Sequence, residues 1–243
     1  MKILVSPKCL DEAQLLVELG VDIIDIKNPL EGSLGAAVPH VIRDIACYCR
    51  SRAVPTSATL GDLPFQPGTA ALAAFGLAHL RVSYIKVGLH GARNEEQAIQ
   101  MLGAVGDAIA MVDSSIAIVA AGYADHRLFD GLSPGELLRA AVHTGCPAIM
   151  LDTADKRHGS LFDAMAEPEL RSFVVAARQA RLLVGLAGSI DARHLPALAD
   201  LQPDIVGVRG ALCTKHDRTQ HIDAGSVRRF VTTLRVGRLQ TAW

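Results

Sequence analysis

Three lysines stand at the ends of apolar runs, where charge is least expected. Lys27 closes Val21-Asp22-Ile23-Ile24-Asp25-Ile26-Lys27, Lys86 lies inside Tyr84-Ile85-Lys86-Val87-Gly88, and Lys156 follows Ile149-Met150-Leu151-Asp152-Thr153-Ala154-Asp155. An ammonium group drawn against a buried strand loses hydration, so it needs a partner or gives up its proton. A lysine that gives up its proton is a nucleophile toward carbonyl carbon and a base near neutral pH. Three such positions suggest amine chemistry. Strand alternation puts Asp25 and Lys27 on one face, opposite Ile24 and Ile26; it turns Lys86 away from Ile85 and Val87, and Asp152 away from Leu151. One lysine alone is as readily explained by a structural ion pair. The whole set is harder to explain that way, because buried charges are costly and gather at functional sites. Lys156 is the weaker member, since it lies in the loop Thr153-Ala154-Asp155-Lys156-Arg157-His158-Gly159, where solvated charge is ordinary.

A second kind of signal comes from Ala187-Gly188-Ser189-Ile190 and Gly207-Val208-Arg209-Gly210. Backbone N–H groups exposed at such turns cradle anions, and Arg209 would add a charge-assisted contact. Gly188, Ser189, Arg209 and Gly210 are therefore the candidate phosphate-binding residues, with tight turns that need glycine as the bland alternative. A lysine cluster beside a phosphate cradle points to small sugar phosphates. His126, His143, His158, His216 and His221 fall in no metal-binding spacing, and Ser189 lacks the context of a hydrolase nucleophile. Asp25 and Asp152 would make an oxygen-poor magnesium site. The expected chemistry calls for no metal and no redox cofactor.

These groups need a scaffold that brings distant strand ends together. Strand-like runs recur at 3–6, 23–27, 55–59, 84–88, 116–121, 148–152, 182–187 and 205–208. Helix-like segments follow at 10–19, 38–50, 69–80, 95–109, 134–144, 168–179, 191–199 and 223–234. Ser133-Pro134-Gly135-Glu136 reads as an N-cap, a first-turn proline and a capping-box glutamate, and Gly20 and Gly145 fall where helices should stop. Eight βα units predict an α/β TIM (β/α)8 barrel, a single domain over 1–236 followed by a C-terminal tail at 237–243. A doubly wound open sheet is the alternative, but the first βα turn, Ser6-Pro7-Lys8-Cys9, has no dinucleotide fingerprint. In a TIM barrel the active site lies at the strand C-termini, and alternate strands share an interior layer. Asp25 and Lys27, Lys86, and Asp152 belong to the second, fourth and sixth strands, so they should converge. Neighbouring cations would lower a lysine's pKa there and the aspartates would raise it; the sequence leaves that balance open.

Composition narrows the class further. The chain has 243 residues, 24 basic and 25 acidic, with a net charge of −1 and no basic cluster, so nucleic acid is not an expected partner. No apolar run approaches the roughly 18 residues of a membrane span, and the N-terminus does not read as a signal peptide. Cys9, Cys47, Cys49, Cys146 and Cys213 lack zinc spacing and read as reduced thiols of a cytoplasmic protein. Exposed barrel helices are compatible with a homo-oligomer.

Several blocks together resemble a known family. They include Asp25-Ile26-Lys27-Asn28-Pro29-Leu30-Glu31-Gly32-Ser33, Ser57-Ala58-Thr59-Leu60-Gly61-Asp62, Tyr84-Ile85-Lys86-Val87-Gly88-Leu89 and Ala120-Ala121-Gly122-Tyr123-Ala124-Asp125. Met150-Leu151-Asp152-Thr153-Ala154, Leu186-Ala187-Gly188-Ser189-Ile190 and Asp204-Ile205-Val206-Gly207-Val208-Arg209-Gly210 extend the likeness over almost the whole chain. They resemble (5-formylfuran-3-yl)methyl phosphate synthase, the furan-forming enzyme of methanofuran biosynthesis. The resemblance implies a TIM-barrel lyase that condenses two glyceraldehyde 3-phosphate molecules. It implies Lys27 as the Schiff-base lysine, Lys86 as proton acceptor, and Asp25, Asp152 and Lys156 as supporting residues; the tract after Asp152 aligns less directly. The rival readings are a class I aldolase or isomerase of another sugar phosphate, and a sugar-phosphate-binding barrel without activity.

Overall fold

Short runs rich in isoleucine, valine and alanine, apolar on the face that meets the helices, become the staves of a closed barrel. The computed structural model describes the backbone of residues 1–240 and the side chains of residues 1–235. Among these, the strands are β1 (Lys2–Val5), β2 (Ile23–Ile26), β3 (Thr56–Thr59), β4 (Tyr84–Gly88), β5 (Ala117–Tyr123), β6 (Ala148–Asp152), β7 (Leu183–Leu186) and β8 (Ile205–Val208). Each pairs in parallel with the next, and β8 returns to β1 through Lys2↔Ile205 to Val5↔Val208. The helices are α1 (Leu10–Glu18), α2 (Pro39–Ser51), α3 (Pro67–Ala78), α4 (Glu95–Ala110), α5 (Pro134–His143), the one-turn α6 (Leu161–Ala164), α7 (Glu167–Gln179), α8 (Leu195–Leu201) and α9 (Ala224–Gln240). The TIM barrel read from the sequence is the observed fold.

Two helix boundaries differ from expectation by more than two residues, for local reasons. The helix expected at 191–199 starts in regular form only at Leu195, because the Asp191 side chain accepts the Arg193 N–H and holds a 3₁₀ turn at Ala192–His194. The last helix continues to Gln240, past residue 234 where its apolar pattern fades. The remainder of the segment read as a tail, with Trp243, lies outside the described residues. The Ser133 cap forms as expected, its hydroxyl accepting the Glu136 N–H at 3.3 Å while Glu136 accepts the Ser133 N–H at 2.9 Å.

Register decides what faces inward. With the one-residue stagger per strand of such barrels, inward residues fall into layers of four. Ile23, Tyr84, Ala148 and Ile205 form the lowest layer, and Leu4, Ser57, Val119 and Gly185 the next. Asp25, Lys86, Met150 and Gly207 come third, directly above an almost wholly apolar floor. Asp152 stands two residues beyond Met150 at the end of β6, and Lys27 two beyond Asp25, just past the end of β2, at the mouth.

The loop after β2 covers part of that mouth. Leu34 is fully buried and joins the interior cluster. The loop is fixed by Thr59 Oγ1 donating to the Leu34 carbonyl at 2.6 Å, Ser33 Oγ donating to the Thr153 carbonyl at 2.7 Å, and the Leu34 N–H donating to Asp62 at 3.0 Å. Gly32 bends at φ +127°, and a Cβ there would lie 2.4 Å from Asp62 Oδ2, so this bend excludes a side chain. The remaining opening lies beside β7, β8 and β1, as a cavity of about 610 Å³.

Candidate active site

Asp25 is the centre of the polar cluster, and every neighbour it has is a donor. Lys86 Nζ lies 2.6 Å from Oδ1, Ser6 Oγ donates to Oδ2 at 2.9 Å, and Ser57 Oγ donates to Oδ1. Lys27 Nζ stands 3.9 Å from Oδ2. Exposure is 0% for Asp25, 1% for Lys86, 2% for Asp152 and 8% for Lys27, so water screens these charges poorly. Burial alone would raise the Asp25 pKa. The fields of Lys86 and Lys27, with hydrogen bonds from Lys86 and Ser57, outweigh it and hold the carboxyl below its ordinary 3.8.

Lys27 differs from Lys86 and Lys156 in having no close partner. Its two carboxylate neighbours, Asp25 and Asp152, are both at 3.9 Å, and among the described residues it donates no hydrogen bond. Burial is the largest influence and lowers its pKa; Asp152 and Asp25 raise it, while Lys86 and Lys156 lower it further. The outcome is about 8, against an ordinary 10.5. Near pH 8, about half of this side chain is a neutral amine facing the cavity.

Asp152 mirrors Asp25 on the opposite wall. It receives Lys156 Nζ and the Thr153 N–H at 2.8 Å, and lies well below the ordinary carboxylate range because Lys156 and Lys27 overcome its burial. Lys156 comes from the loop after β6, as an i,i+4 neighbour of Asp152, and is fixed further by the Thr153 carbonyl at 2.6 Å. Asp125 shapes that loop by accepting the N–H groups of Ala154 and Asp155 at 2.7 and 2.9 Å. Asp155 and His158 turn outward, where Asp155 pairs with Arg157 and His158 at 2.6 and 3.0 Å. Lys156 is therefore the residue of this tract that reaches the cluster. Asp25, Lys27, Lys86, Asp152 and Lys156 all line one cavity.

Gly188, Ser189 and Gly210 line the same cavity. Gly188 and Ser189 both take positive φ, +114° and +47°, and a Cβ at Gly188 would crowd Thr153 at 3.0 Å. Arg209 also borders the space, but its guanidinium is already engaged. It donates to Glu12 at 3.0 Å, to the Arg218 carbonyl at 2.6 Å, to the Gln220 carbonyl at 3.2 Å and to the Ser6 carbonyl. Its charge is balanced by Glu12, so this side chain already has its partners, while Gly210 lines the cavity with its carbonyl accepting the Cys213 N–H at 3.1 Å.

Sequence reading passed over four groups. Ser6 and Ser57 were available to the same alternation that found Asp25, since Ser57 is inward in β3 and Ser6 stands two residues past the inward Leu4, just beyond the end of β1. Tyr123 donates to Asp62; burial and the Asp62 carboxylate hold its hydroxyl well above the ordinary range, so it stays a donor. Arg218 reaches the cavity from an irregular segment with no periodicity to betray it. Among the described residues, no three His, Cys, Asp or Glu side chains assemble as a metal-ligand set, and no helix is long and apolar enough to cross a membrane.

Comparison with known proteins meets this geometry. The family described as 4-HFC-P synthase matches residues 3–231. The chain is 47% identical over 222 residues to the (5-formylfuran-3-yl)methyl phosphate synthase of Archaeoglobus fulgidus, covering 91% of this chain and 94% of that one. It is 42% identical over 231 residues to the protein of the same name from Methanosarcina barkeri, covering 95% and 98%. Among solved structures, 3-hexulose-6-phosphate synthase from Salmonella typhimurium superposes with a TM-score of 0.65 at 17% identity, over 98% of this chain and 100% of that one. Deoxyribose phosphate aldolase from Aeropyrum pernix gives 0.63 at 14%, over 96% and 89%. At such identities the structural likeness speaks for the barrel alone.

Proposed function

The chain belongs to the (5-formylfuran-3-yl)methyl phosphate synthase family, and we propose that it condenses two glyceraldehyde 3-phosphate molecules into (5-formylfuran-3-yl)methyl phosphate through a Schiff base on Lys27, as a lyase of methanofuran biosynthesis. The observation that carries this reading is the Lys27 amine: buried, without a hydrogen-bond acceptor among the described residues, and depressed to about 8. Such an amine has both the neutral fraction and the access needed to attack a carbonyl.

One triose phosphate first isomerises to its ketone form. Lys27 adds to that ketone and water leaves, giving an iminium. Lys86, ion-paired with Asp25 at 2.6 Å, gives a proton to the hydroxyl that leaves as water; as the amine so formed it then takes the α-proton, and the iminium becomes an enamine. The enamine carbon attacks the aldehyde of the second triose phosphate, forming the new carbon–carbon bond. Loss of one phosphate, ring closure and dehydration then release the furan aldehyde and restore the Lys27 amine. Two triose phosphates thus yield one furan phosphate, one inorganic phosphate and two waters, with no external oxidant. Asp152 and Lys156 supply a second proton-exchanging pair beside Lys27. Gly188, Ser189 and Gly210 would cradle one substrate phosphate, with Arg209 holding the Gly210 turn in place.

Product spectroscopy tests the reading. Glyceraldehyde 3-phosphate should give a near-ultraviolet absorbance with release of one inorganic phosphate per furan. Carbon–carbon bond formation without absorbance would reduce the activity to that of an aldolase.

A further inference from the structure

Arg218 is a cation in the mouth of the cavity that has no ion-paired carboxylate among the described residues. It lies in the segment between β8 and α9 and is half-buried. Its guanidinium makes one hydrogen bond among the described residues, Nη2 donating to the Gly32 carbonyl at 2.8 Å, and no acidic oxygen lies within ion-pair distance. Arg209, nine residues earlier, has the opposite character: it is deeply buried, paired with Glu12 and bonded to three carbonyls. The charges that act on Arg218 most are Asp152 and Asp62, which attract it, and Arg209, which repels it. A partly desolvated guanidinium with most of its donors unused invites an anion, and its planar fork suits phosphate.

The direction of the side chain narrows which anion. A Cβ added at Gly210 would lie 3.9 Å from the Arg218 Cβ, while the tip reaches Gly32. The side chain therefore spans from the end of β8 to the loop after β2. The Gly188–Ser189 turn follows β7, and Thr153 stands between it and that loop: a Cβ at Gly188 would lie 3.0 Å from Thr153, whose carbonyl accepts Ser33 Oγ at 2.7 Å. Two phosphates entering one site repel each other and need separate holders. The Gly32 carbonyl fixes the fork and leaves its remaining N–H groups for the second of them.

We propose that Arg218 binds the phosphate of the second triose phosphate, the aldehyde that accepts the carbon nucleophile. This rests on the condensation proposed above. The test compares wild type, Arg218→Gln and Arg218→Lys in two assays. The first is borohydride trapping of dihydroxyacetone phosphate on Lys27, which needs only the donor. The second is condensation at saturating dihydroxyacetone phosphate, with the acceptor varied as glyceraldehyde 3-phosphate or as unphosphorylated glyceraldehyde. Arg218→Gln should leave the Lys27 adduct at its wild-type yield and raise the half-saturating glyceraldehyde 3-phosphate by about 10- to 100-fold. Preference for the phosphorylated acceptor should fall by the same factor, and Arg218→Lys should recover part of it. A merely structural role would not move that preference. Unchanged half-saturation in Arg218→Gln, or equal loss of the donor adduct, would overturn the assignment. Absence of the adduct in active wild type would overturn the Schiff-base reading, and the Arg218 assignment with it.

Discussion

Replacing Lys27 by methionine should abolish turnover and make the fold more stable. In the native protein the ammonium form is disfavoured to the extent that its pKa falls from 10.5 to about 8. At roughly 1.36 kcal/mol per tenfold, that difference is worth about 3 kcal/mol below pH 8. Attraction to Asp25 and Asp152 is already contained in this figure, and each aspartate keeps its own lysine partner, Lys86 or Lys156. Methionine fills a similar volume without the charge. The sign follows from proton binding: between about 8 and 10.5 the unfolded chain holds the Lys27 proton more tightly than the folded one, so wild-type stability gains as pH rises. The advantage of Lys27→Met should therefore be about 3 kcal/mol at pH 7, and should shrink steadily as pH approaches 10.5. Urea unfolding at several pH values measures it, and thermal unfolding should show a rise of several degrees. A variant no more stable than wild type at pH 7, or an advantage independent of pH, would refute the idea that the fold holds a destabilised amine.

Other consequences follow from the same contacts. Lys86→Ala should still form the Lys27 adduct but lose about 10²- to 10⁴-fold in turnover, as read by single-turnover kinetics; normal turnover would remove its role as base. Arg209→Met should cost roughly 3–5 kcal/mol in urea unfolding, because it leaves Glu12 buried without its cation; a small loss would mean that Arg209 is free to serve as a ligand. Asp25 and Asp152 both titrate below their ordinary 3.8, so their stabilisation is present above that value and disappears as pH falls through the lowered ones. Circular dichroism during acid titration should show a shallower loss of stability below pH 3.8 in Asp152→Asn than in wild type.

The barrel was legible because its strands are short, apolar and regularly spaced, and because their period of two tells inside from outside. That period separated Asp25 from Ile24 and Lys86 from Ile85, and strand parity then brought residues 61 positions apart in the chain, Asp25 and Lys86, into one layer. What local pattern cannot carry is what a side chain does once it leaves its strand. Arg209 and Arg218 look interchangeable as cations near β8, yet Glu12 from α1, distant in sequence, captures one and leaves the other. Leu34 likewise enters the barrel only because Asp62, Thr59 and Thr153 fold its loop inward. The balance of fields on Lys27 depends on distances to four charged groups, and a sequence contains no distances.

The most direct measurement is borohydride reduction of the active protein during turnover of glyceraldehyde 3-phosphate, followed by peptide mass mapping. One covalent triose phosphate adduct is expected, on the peptide containing Lys27, with a yield that rises as pH passes about 8. An adduct on Lys86 or Lys156 instead, or none while the furan is being formed, would contradict the Lys27 assignment.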